Sequence, residues 1–206
     1  MPGVPNIGEG LVRTHDLLEV LRSDVTKAYA ELEEDRQSQF KRRCVARAVF
    51  SFIEAAVECI KVEVRSTVRR QDCEAQLSEA ERETLETLAL VGPRPSKFLP
   101  LDQNIKRTFK LAAKLWGLRF QLSTDGEAFR CFRAAKSARD VLAHPRRYYD
   151  VEVTDLDMYN YSVTYEWFWR EFHRLFQGRV ESLMDGLSSE DAAAMRQLLT
   201  EPRSDA

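Results

Sequence analysis

The sequence predicts an all-α protein, an up-and-down helical bundle of five to seven helices, on three observations. Only 8 Gly and 7 Pro occur in 206 residues, and none lies between Leu11 and Val91. Apolar residues recur at three- and four-residue steps, the period of a helix with one buried face. Helix-capping patterns precede several of these stripes. We expect one domain over residues 1–206, with long helices in 10–90 and further helices in 101–184.

This scarcity of turn residues excludes a β-sandwich or barrel over the first half of the chain. Such folds turn every ~8–12 residues and use Gly, Pro, Asn and Asp to do so. The composition, 44% apolar and 31% charged, is that of a globular chain rather than a disordered one.

Two long helices are predicted first. The first follows a stripe of apolar residues over 11–32, and the run EEDR at 33–36 interrupts the pattern. The second extends over about 38–70. Its apolar stripe consists of Val45, Val49, Phe52, Ile53, Ala56, Ile60 and Val64. Its opposite face carries basic residues, among them Arg42, Arg43 and Arg47, which we interpret as a solvated helix face.

A short helix and a loop come next. Ser78 and Glu81 have the spacing of a capping box, which predicts a helix that continues through Ala89. Residues 91–100 contain Gly-Pro-Arg-Pro and are predicted to form a loop.

The second half is predicted to contain three or four helices. Asp102 is expected to cap the first of them. Thr124 and Glu127 have capping-box spacing and open the next helix, which Pro145 ends. A short extended piece is expected at 146–153.

A final long helix closes the predicted bundle. Thr154 or Asp155 is expected to cap it, and it reaches about Met184. Residues 188–199 are predicted to add a short helix, and residues 200–206 to form a frayed tail.

The location of the protein is predicted from what the sequence lacks. No uncharged apolar stretch approaches the ~18–20 residues that a membrane span needs. The first residues lack the basic-then-apolar pattern of a signal peptide. The 4 Cys residues show no CxxC spacing and are interpreted as reduced and buried. These features predict a cytoplasmic protein without a membrane partner.

The net charge of −2 conceals an uneven distribution along the chain. Residues 1–93 hold 13 basic and 17 acidic side chains, and residues 148–206 hold 5 and 12. Residues 94–147 hold 13 basic and 4 acidic side chains, a sum of +9. Such a segment can present a basic patch to a polyanion, or it can pack against acidic helices of the same chain. The sequence leaves both interpretations open.

One group of residues in this basic segment suggests chemistry. His144 ends a predicted helix, five residues after Arg139 and four after Asp140. Because Pro145 disfavours the α conformation at His144, the imidazole can leave the helical track. A carboxylate at Asp140 is within reach to orient one ring nitrogen if the last turn holds. The result is a cation, an orienting acid and a proton-transfer group at one helix terminus.

The stretch FRAAKSARDVLAHP resembles the signature helix of HEPN domains (higher eukaryotes and prokaryotes nucleotide-binding). Their motif is Arg, a polar residue, three mostly apolar residues and then His. Arg139, Asp140 and His144 match this motif in order and spacing. The resemblance is specific over about residues 127–180 and only architectural over 10–90.

The resemblance implies a metal-independent endoribonuclease that works as a homodimer, with a composite cleft where two motif helices meet. Many such proteins serve in toxin–antitoxin or antiviral defence systems, which implies a possible antitoxin or defence partner protein. The expected reaction is attack of a ribose 2′-hydroxyl on the adjacent phosphorus, giving a 2′,3′-cyclic phosphate. His144 is expected to act as general base or acid, since an imidazole suits proton transfer near neutral pH. Arg139 is expected to stabilise the phosphate charge.

The residues that flank the motif are candidates for binding RNA. Lys136, Arg146 and Arg147 are expected to contact backbone phosphates. The C-terminal part is rich in aromatic residues, which at helical spacing more often form a core or an interface than a base-stacking surface. Two of them, Trp167 and Trp169, point away from the main aromatic face, and we interpret this second surface as a homodimer contact.

Other functions remain open at this stage. A non-catalytic HEPN-like module that binds nucleotide or RNA, or that only mediates assembly, fits the same residues. A helical adaptor unrelated to nucleic acid fits if the basic segment is neutralised internally. The motif residues could also form a simple ion pair at the C-terminus of a helix. No cluster of ligands has metal-binding spacing and no GxxxxGK phosphate loop occurs, so neither a metal nor a cofactor is expected.

Overall fold

The fold is built from α-helices, as the sequence predicts. The computed structural model describes residues 5–71, 73–86, 99–186, 188–190 and 193, with side chains from Asp16 onward. Within these ranges there are six α-helices, two short 3₁₀ turns and no strand. The α-helices are α1 Pro5–Glu34, α2 Gln39–Gln71, α3 Glu79–Glu86, α4 Leu101–Leu115, α5 Glu127–Ala143 and α6 Asp155–Met184. The 3₁₀ turns are Glu74–Gln76 and Tyr148–Val151.

The directions of the helices follow from the residues that meet. A tight turn joins α1 to α2, and Lys41 Nζ donates to the Glu31 carbonyl across it at 2.7 Å, so these two helices are antiparallel. Arg42 meets the start of α6 and Glu63 meets Arg179 near its end, so α2 and α6 are parallel. Helix α5 runs against both.

The bundle is therefore not strictly up-and-down. Phe109 of α4 packs on Phe168 of α6, and Trp116 packs on Phe176 further along the same helix. Hence α4 runs parallel to α6 and to α2. Helix α3 lies between α2 and α4 in chain order.

The apolar stripe predicted for the second helix forms the centre of the core. Each member of this stripe in α2 is at most 1% exposed. The partners come from the other helices, notably Phe109 of α4, Phe132 of α5 and Phe168 of α6. Burying one such side chain contributes about 1.5–3 kcal/mol. One hydrophobic cluster thus connects α2 with every helix whose side chains the structure describes.

Several predicted helix ends are confirmed. Ser78 Oγ accepts from the Glu81 N–H at 3.3 Å, and the Glu81 carboxylate accepts from the Ser78 N–H at 2.8 Å. Thr154 and Asp157 form the same reciprocal pair at the start of α6. Gly117 ends α4 with φ +67°, a left-handed conformation that glycine adopts without strain.

Two predicted caps are wrong because the helices begin elsewhere. Pro100 is the N-cap of α4, so Asp102 lies inside the first turn and does not cap it. Gly126 is the N-cap of α5, and Thr124 donates to Asp125 instead of capping. In both cases the start of the helix is shifted by one or two residues from the capping pattern.

Other expectations also need correction or lie outside the described residues. The piece at 146–153 is not simply extended, because it contains the 3₁₀ turn Tyr148–Val151. The tail at 200–206, most of the helix expected at 188–199 and most of the loop at 91–100 lie outside the described residues. No helix in the described part of the chain is long and apolar enough to cross a membrane.

Among the basic residues at the start of α2, Arg47 is exposed as predicted and Arg43 is half-buried, but Arg42 is not solvated. Arg42 is buried and donates to the Arg36 carbonyl at 2.7 Å and to the Val153 carbonyl at 2.9 Å. It also pairs with Asp155 at 2.5 Å. These bonds join the turn before α2 to the start of α6. The helical spacing of the sequence alone does not reveal this connection.

A second polar cluster lies at the other end of α2. Glu63 is buried and pairs with Arg70 at 2.9 Å and with Arg179 of α6 at 3.5 Å. Thr67 accepts from the Trp116 indole at 3.2 Å. Buried charges are tolerated because each has a hydrogen-bonded partner.

Lys61 is the exception on α2. Its side chain is fully buried, and its Nζ has no hydrogen-bond partner in the part of the chain that the structure describes. Burial lowers the pKa of Lys61 from 10.5 to about 8, although the neighbouring Glu58 carboxylate opposes this change. An unpaired buried amine destabilises the folded state wherever it is charged.

We expect Lys61→Met to stabilise the protein at pH 7 by about 2–3 kcal/mol, since a pKa difference of one corresponds to about 1.4 kcal/mol. The folded state binds the Lys61 proton more weakly than the unfolded state, so wild-type stability rises between pH 8 and pH 10.5. The advantage of the variant, measured by urea unfolding, therefore shrinks over that range. Lys27→Met, at an exposed position of α1, is the matched control. An equal gain at pH 7 and pH 10.5 would contradict this account.

Candidate functional site

The motif helix ends at the candidate histidine. Helix α5 ends at Ala143, and His144 has φ −132° and ψ 58°, outside the helical region. Its backbone N–H still donates to the carbonyls of Asp140 and Val141, both at 3.2 Å. The next residue is Pro145, and the side chain of His144 is exposed. The imidazole therefore leaves the helical track, as the sequence predicts.

A cleft of about 600 Å³ lies beside the last turns of α5. It brings together four of the six predicted site residues, namely Lys136, Asp140, His144 and Arg146. Arg139 and Arg147 do not line it. The remaining lining residues are Asp102, Arg133, Ser137, Val141 and Asp150.

Sequence reasoning missed three charged residues of this cleft. Arg133 lies three residues before Lys136, so helical spacing alone could have placed it on the same face. Asp102 and Asp150 come from other elements, and no local signal in the sequence connects them to α5. The cleft thus holds three cationic side chains, three carboxylates and one imidazole.

Asp140 is held by two cations. Lys136 Nζ donates to one carboxylate oxygen at 2.8 Å and Arg139 Nη1 donates to the other at 3.1 Å. Burial by itself raises the pKa of Asp140, but these hydrogen bonds outweigh it and hold the pKa below its usual value. Asp140 is therefore a carboxylate at neutral pH.

The expected hydrogen bond between Asp140 and His144 is not present in this structure. Both oxygens of Asp140 are already engaged by Lys136 and Arg139. Among the described residues, none forms a side-chain hydrogen bond with the imidazole of His144. Both ring nitrogens of His144 are thus open to a ligand.

Arg139 faces α2 rather than the cleft. It forms an ion pair with Glu54, and its guanidinium lies 5.4 Å from the centre of the Phe50 ring. The side chain is 32% exposed. Arg139 is connected to the cleft through Asp140, which pairs with Arg139 and also lines the cleft. Two carboxylates therefore neutralise the guanidinium within one protomer.

Hydrogen bonds to its backbone hold the loop after His144 in place. The Asp150 carboxylate accepts from the N–H groups of Arg146 and Arg147 at 2.8 and 2.9 Å. Gln39 exchanges two hydrogen bonds with the backbone of Val153, at 2.7 and 3.2 Å. The side chains of Arg146 and Arg147 are exposed. The loop thus presents two cationic side chains on a backbone that is held by hydrogen bonds.

The aromatic residues of α6 are mostly buried within the chain. Trp167 is 1% exposed, packs on Phe129 and Phe132 of α5, and donates to the Ser123 carbonyl at 3.0 Å. Trp169 packs on Phe52 of α2. Trp167 is therefore covered by α5, and Trp169 is half-buried against α2 of the same chain, so this second aromatic surface gives no indication of a homodimer.

Two further findings bear on this site. Among the described residues, no group of three or more His, Cys, Asp or Glu side chains is arranged to hold a metal ion. Comparison of the chain with protein-family models, with curated proteins and with solved structures found no match. Functional inference therefore depends on the residues and the geometry of the cleft.

Proposed function

We infer that the protein is a metal-independent endoribonuclease that uses the cleft at the end of α5. The observation that carries this inference is the free imidazole of His144 beside the cationic side chains of Arg133, Lys136 and Arg146. Clustered cations bind the phosphates of a nucleic acid, and a free imidazole transfers protons near neutral pH. The match of Arg139, Asp140 and His144 to the HEPN motif agrees with this chemistry.

The proposed reaction is a transesterification. The ribose 2′-oxygen attacks the adjacent phosphorus, its proton passes to a base, and the bond to the 5′-oxygen breaks as that oxygen gains a proton. The products are a 2′,3′-cyclic phosphate and a 5′-hydroxyl. His144 takes the first proton or supplies the second. Lys136, Arg146 and Arg147 hold the phosphate backbone, and Asp140 keeps Lys136 and Arg139 in position.

Arg139 needs a separate explanation because it does not line the cleft of its own protomer. We place it at the phosphate of a second protomer, in a homodimer whose α5 helices meet. There its forked N–H groups stabilise the charge of the pentacoordinate phosphorus. The Arg139 side chain is 32% exposed, so part of its guanidinium is accessible from outside its own protomer.

A nuclease of this kind needs control in the cell that makes it. We expect a role in a toxin–antitoxin or antiviral defence system, with an antitoxin or another defence protein as partner. Such a partner could act by covering the cleft at His144.

One observation favours a second candidate function. Within a protomer, Glu54 and Asp140 neutralise Arg139, so the motif cation is not free to bind phosphate. A non-catalytic HEPN-like module that binds nucleotide or RNA, or that mediates assembly, is consistent with this pairing. Binding without cleavage distinguishes it from the nuclease.

We expect the wild-type protein to cleave total RNA in EDTA, and His144→Ala or Arg139→Ala to reduce the rate by about 10²–10⁴-fold, since each change removes a group that acts in the transition state. Gel analysis gives the rates, and mass spectrometry of the products identifies the cyclic phosphate. DNA, which lacks the 2′-hydroxyl, is not cut.

His173→Ala is the matched control for this experiment. His173 is exposed on α6 and packs beside Trp169, outside the residues that line the cleft, so its loss leaves cleavage unchanged. Circular dichroism and thermal melting verify that each variant is folded. Cleavage at the wild-type rate by folded His144→Ala contradicts the assignment.

Mixing the two inactive variants tests the composite cleft. If each site takes His144 from one protomer and Arg139 from the other, a heterodimer holds one intact site, and the mixture recovers about a quarter of wild-type cleavage. The measurement is the cleavage rate after the two variants are mixed and allowed to exchange, with light scattering to verify the dimer. No recovery in a mixture that forms dimers argues that both residues act within one protomer.

A further inference from the structure

A second, smaller cavity adjoins the cleft. Its volume is about 200 Å³, and it shares Ser137, Val141 and Asp150 with the larger cleft. We call it the base pocket. Because the two spaces have three lining residues in common, they lie next to each other at the end of α5.

The base pocket has the size of a single ring system. Pockets for drug-sized ligands span about 300–1,000 Å³, so this cavity is smaller than that class. At about 30 Å³ for each water in the liquid, it corresponds to six or seven water molecules. It can therefore hold a nucleobase, while the attached sugar and phosphate lie outside it.

The walls of the base pocket suit an aromatic ring. Val141 and Leu142 of α5 supply an apolar side. Tyr149 of the 3₁₀ turn also lines the pocket and is 75% exposed, and the adjacent Tyr148 is 84% exposed. An exposed tyrosine beside arginine residues is a typical stacking partner for an unpaired base. These two tyrosines do not belong to the buried aromatic core that the sequence suggested for this region.

A buried phenol also forms part of the base pocket. Tyr161 is 0% exposed, lines the cavity, and its hydroxyl has no hydrogen-bond partner in the described part of the chain. A buried hydroxyl without a partner costs free energy. A polar ligand group near it can offset that cost.

Three carboxylates define the polar side of the base pocket. Asp150 and Asp157 each use one oxygen to accept from backbone N–H groups of the loop and of the α6 cap. Glu152 is exposed, and no side-chain hydrogen bond engages it within the described ranges. Carboxylates only accept hydrogen bonds, so a ligand at this edge must present donors.

The nucleobases differ in the hydrogen-bond donors that they present. The Watson–Crick edge of guanine presents two adjacent donors, the ring N–H and the exocyclic amine. Uracil presents two carbonyl acceptors on either side of its one donor, and these carbonyls are repelled by carboxylates. A carboxylate-lined pocket therefore favours guanine and disfavours uracil.

We propose that the base pocket binds one unpaired guanine of a single-stranded RNA whose neighbouring phosphate lies in the cationic cleft. The guanine stacks on Tyr149 and directs its donor edge to the carboxylates, Glu152 among them. This inference deepens the ribonuclease function proposed for the cleft, because the base pocket fixes which phosphate reaches His144.

The test measures binding, so that it does not require cleavage. Full-length His144→Ala is titrated into fluorescein-labelled RNA pentamers, UUGUU and UUUUU, and fluorescence anisotropy gives the Kd. We expect UUGUU to bind at least about tenfold more tightly, since a base-specific hydrogen-bonded pair contributes ~1–3 kcal/mol. Equal affinity for both pentamers overturns the proposal.

Three further substitutions, each made in the His144→Ala protein, assign the preference to the base pocket. Tyr149→Leu weakens UUGUU about tenfold because stacking is lost, while Tyr149→Phe retains the ring and the affinity. Glu152→Gln removes most of the preference for guanine and leaves the affinity for UUUUU unchanged or higher. Tyr159→Leu, at an exposed tyrosine of α6 outside the residues that line both cavities, is the matched control and changes neither affinity.

The outcomes separate this inference from the proposed function. If wild type cleaves RNA but the pentamers bind equally, the base pocket is refuted and the nuclease stands. If the guanine preference depends on Tyr149 and Glu152 but wild type cuts no RNA, the nuclease is refuted and the base pocket stands. A guanine preference that survives both Tyr149→Leu and Glu152→Gln also overturns the base pocket.

Discussion

The structure depends on how the polar side chains of α2 are satisfied. Helix α2 contacts α1, α4, α5 and α6, so some of its polar groups, such as Arg42 and Glu63, are buried among other helices. A buried polar group without a partner costs about 1–3 kcal/mol. Arg42 and Glu63 meet their partners Asp155 and Arg179 on α6, and the partly exposed Glu54 meets Arg139 on α5. Hydrophobic burial drives the packing, and these pairs fix its register.

Ion pairs made by the basic middle segment resolve the two interpretations of it. Part of its charge is neutralised internally, since Arg107 pairs with Glu83, Lys114 with Glu81 and Arg139 with Glu54. Another part remains at the cleft, where Arg133 and Arg146 are exposed. The segment is thus both a basic layer between acidic helices and the source of a cationic surface. The internal ion pair of Arg139 and Glu54 positions α5 against α2, and the exposed side chains of Arg133 and Arg146 give the cleft its charge.

Local patterns were sufficient for the elements whose causes are local. The stripe of α2 and the reciprocal pair of Thr154 and Asp157 depend only on spacing and on helix geometry. The departure of His144 from the helix follows from the proline after it. These features were predictable because each is decided within a few residues.

Features decided by distant residues could not be predicted in this way. The burial of Arg42 requires Val153 and Asp155, which only the fold brings near. The preference of Asp140 for Lys136 over His144 is a competition between two residues four positions away in opposite directions, and helical spacing admits both. The exposure of Tyr149 depends on a 3₁₀ turn that the sequence suggested would be extended.

The hydrogen bonds between Gln39 and Val153 determine how early in the synthesis of the chain the cleft can form. They join residues 114 positions apart, and the pair of Glu54 and Arg139 spans 85. A ribosome delivers the N-terminal part of the chain first. Helices α1 and α2 therefore emerge long before the loop and the start of α6 that complete the cleft. For the ribonuclease function proposed above, this order means that the cleft stays incomplete during most of translation, while the messenger and the ribosome are within reach.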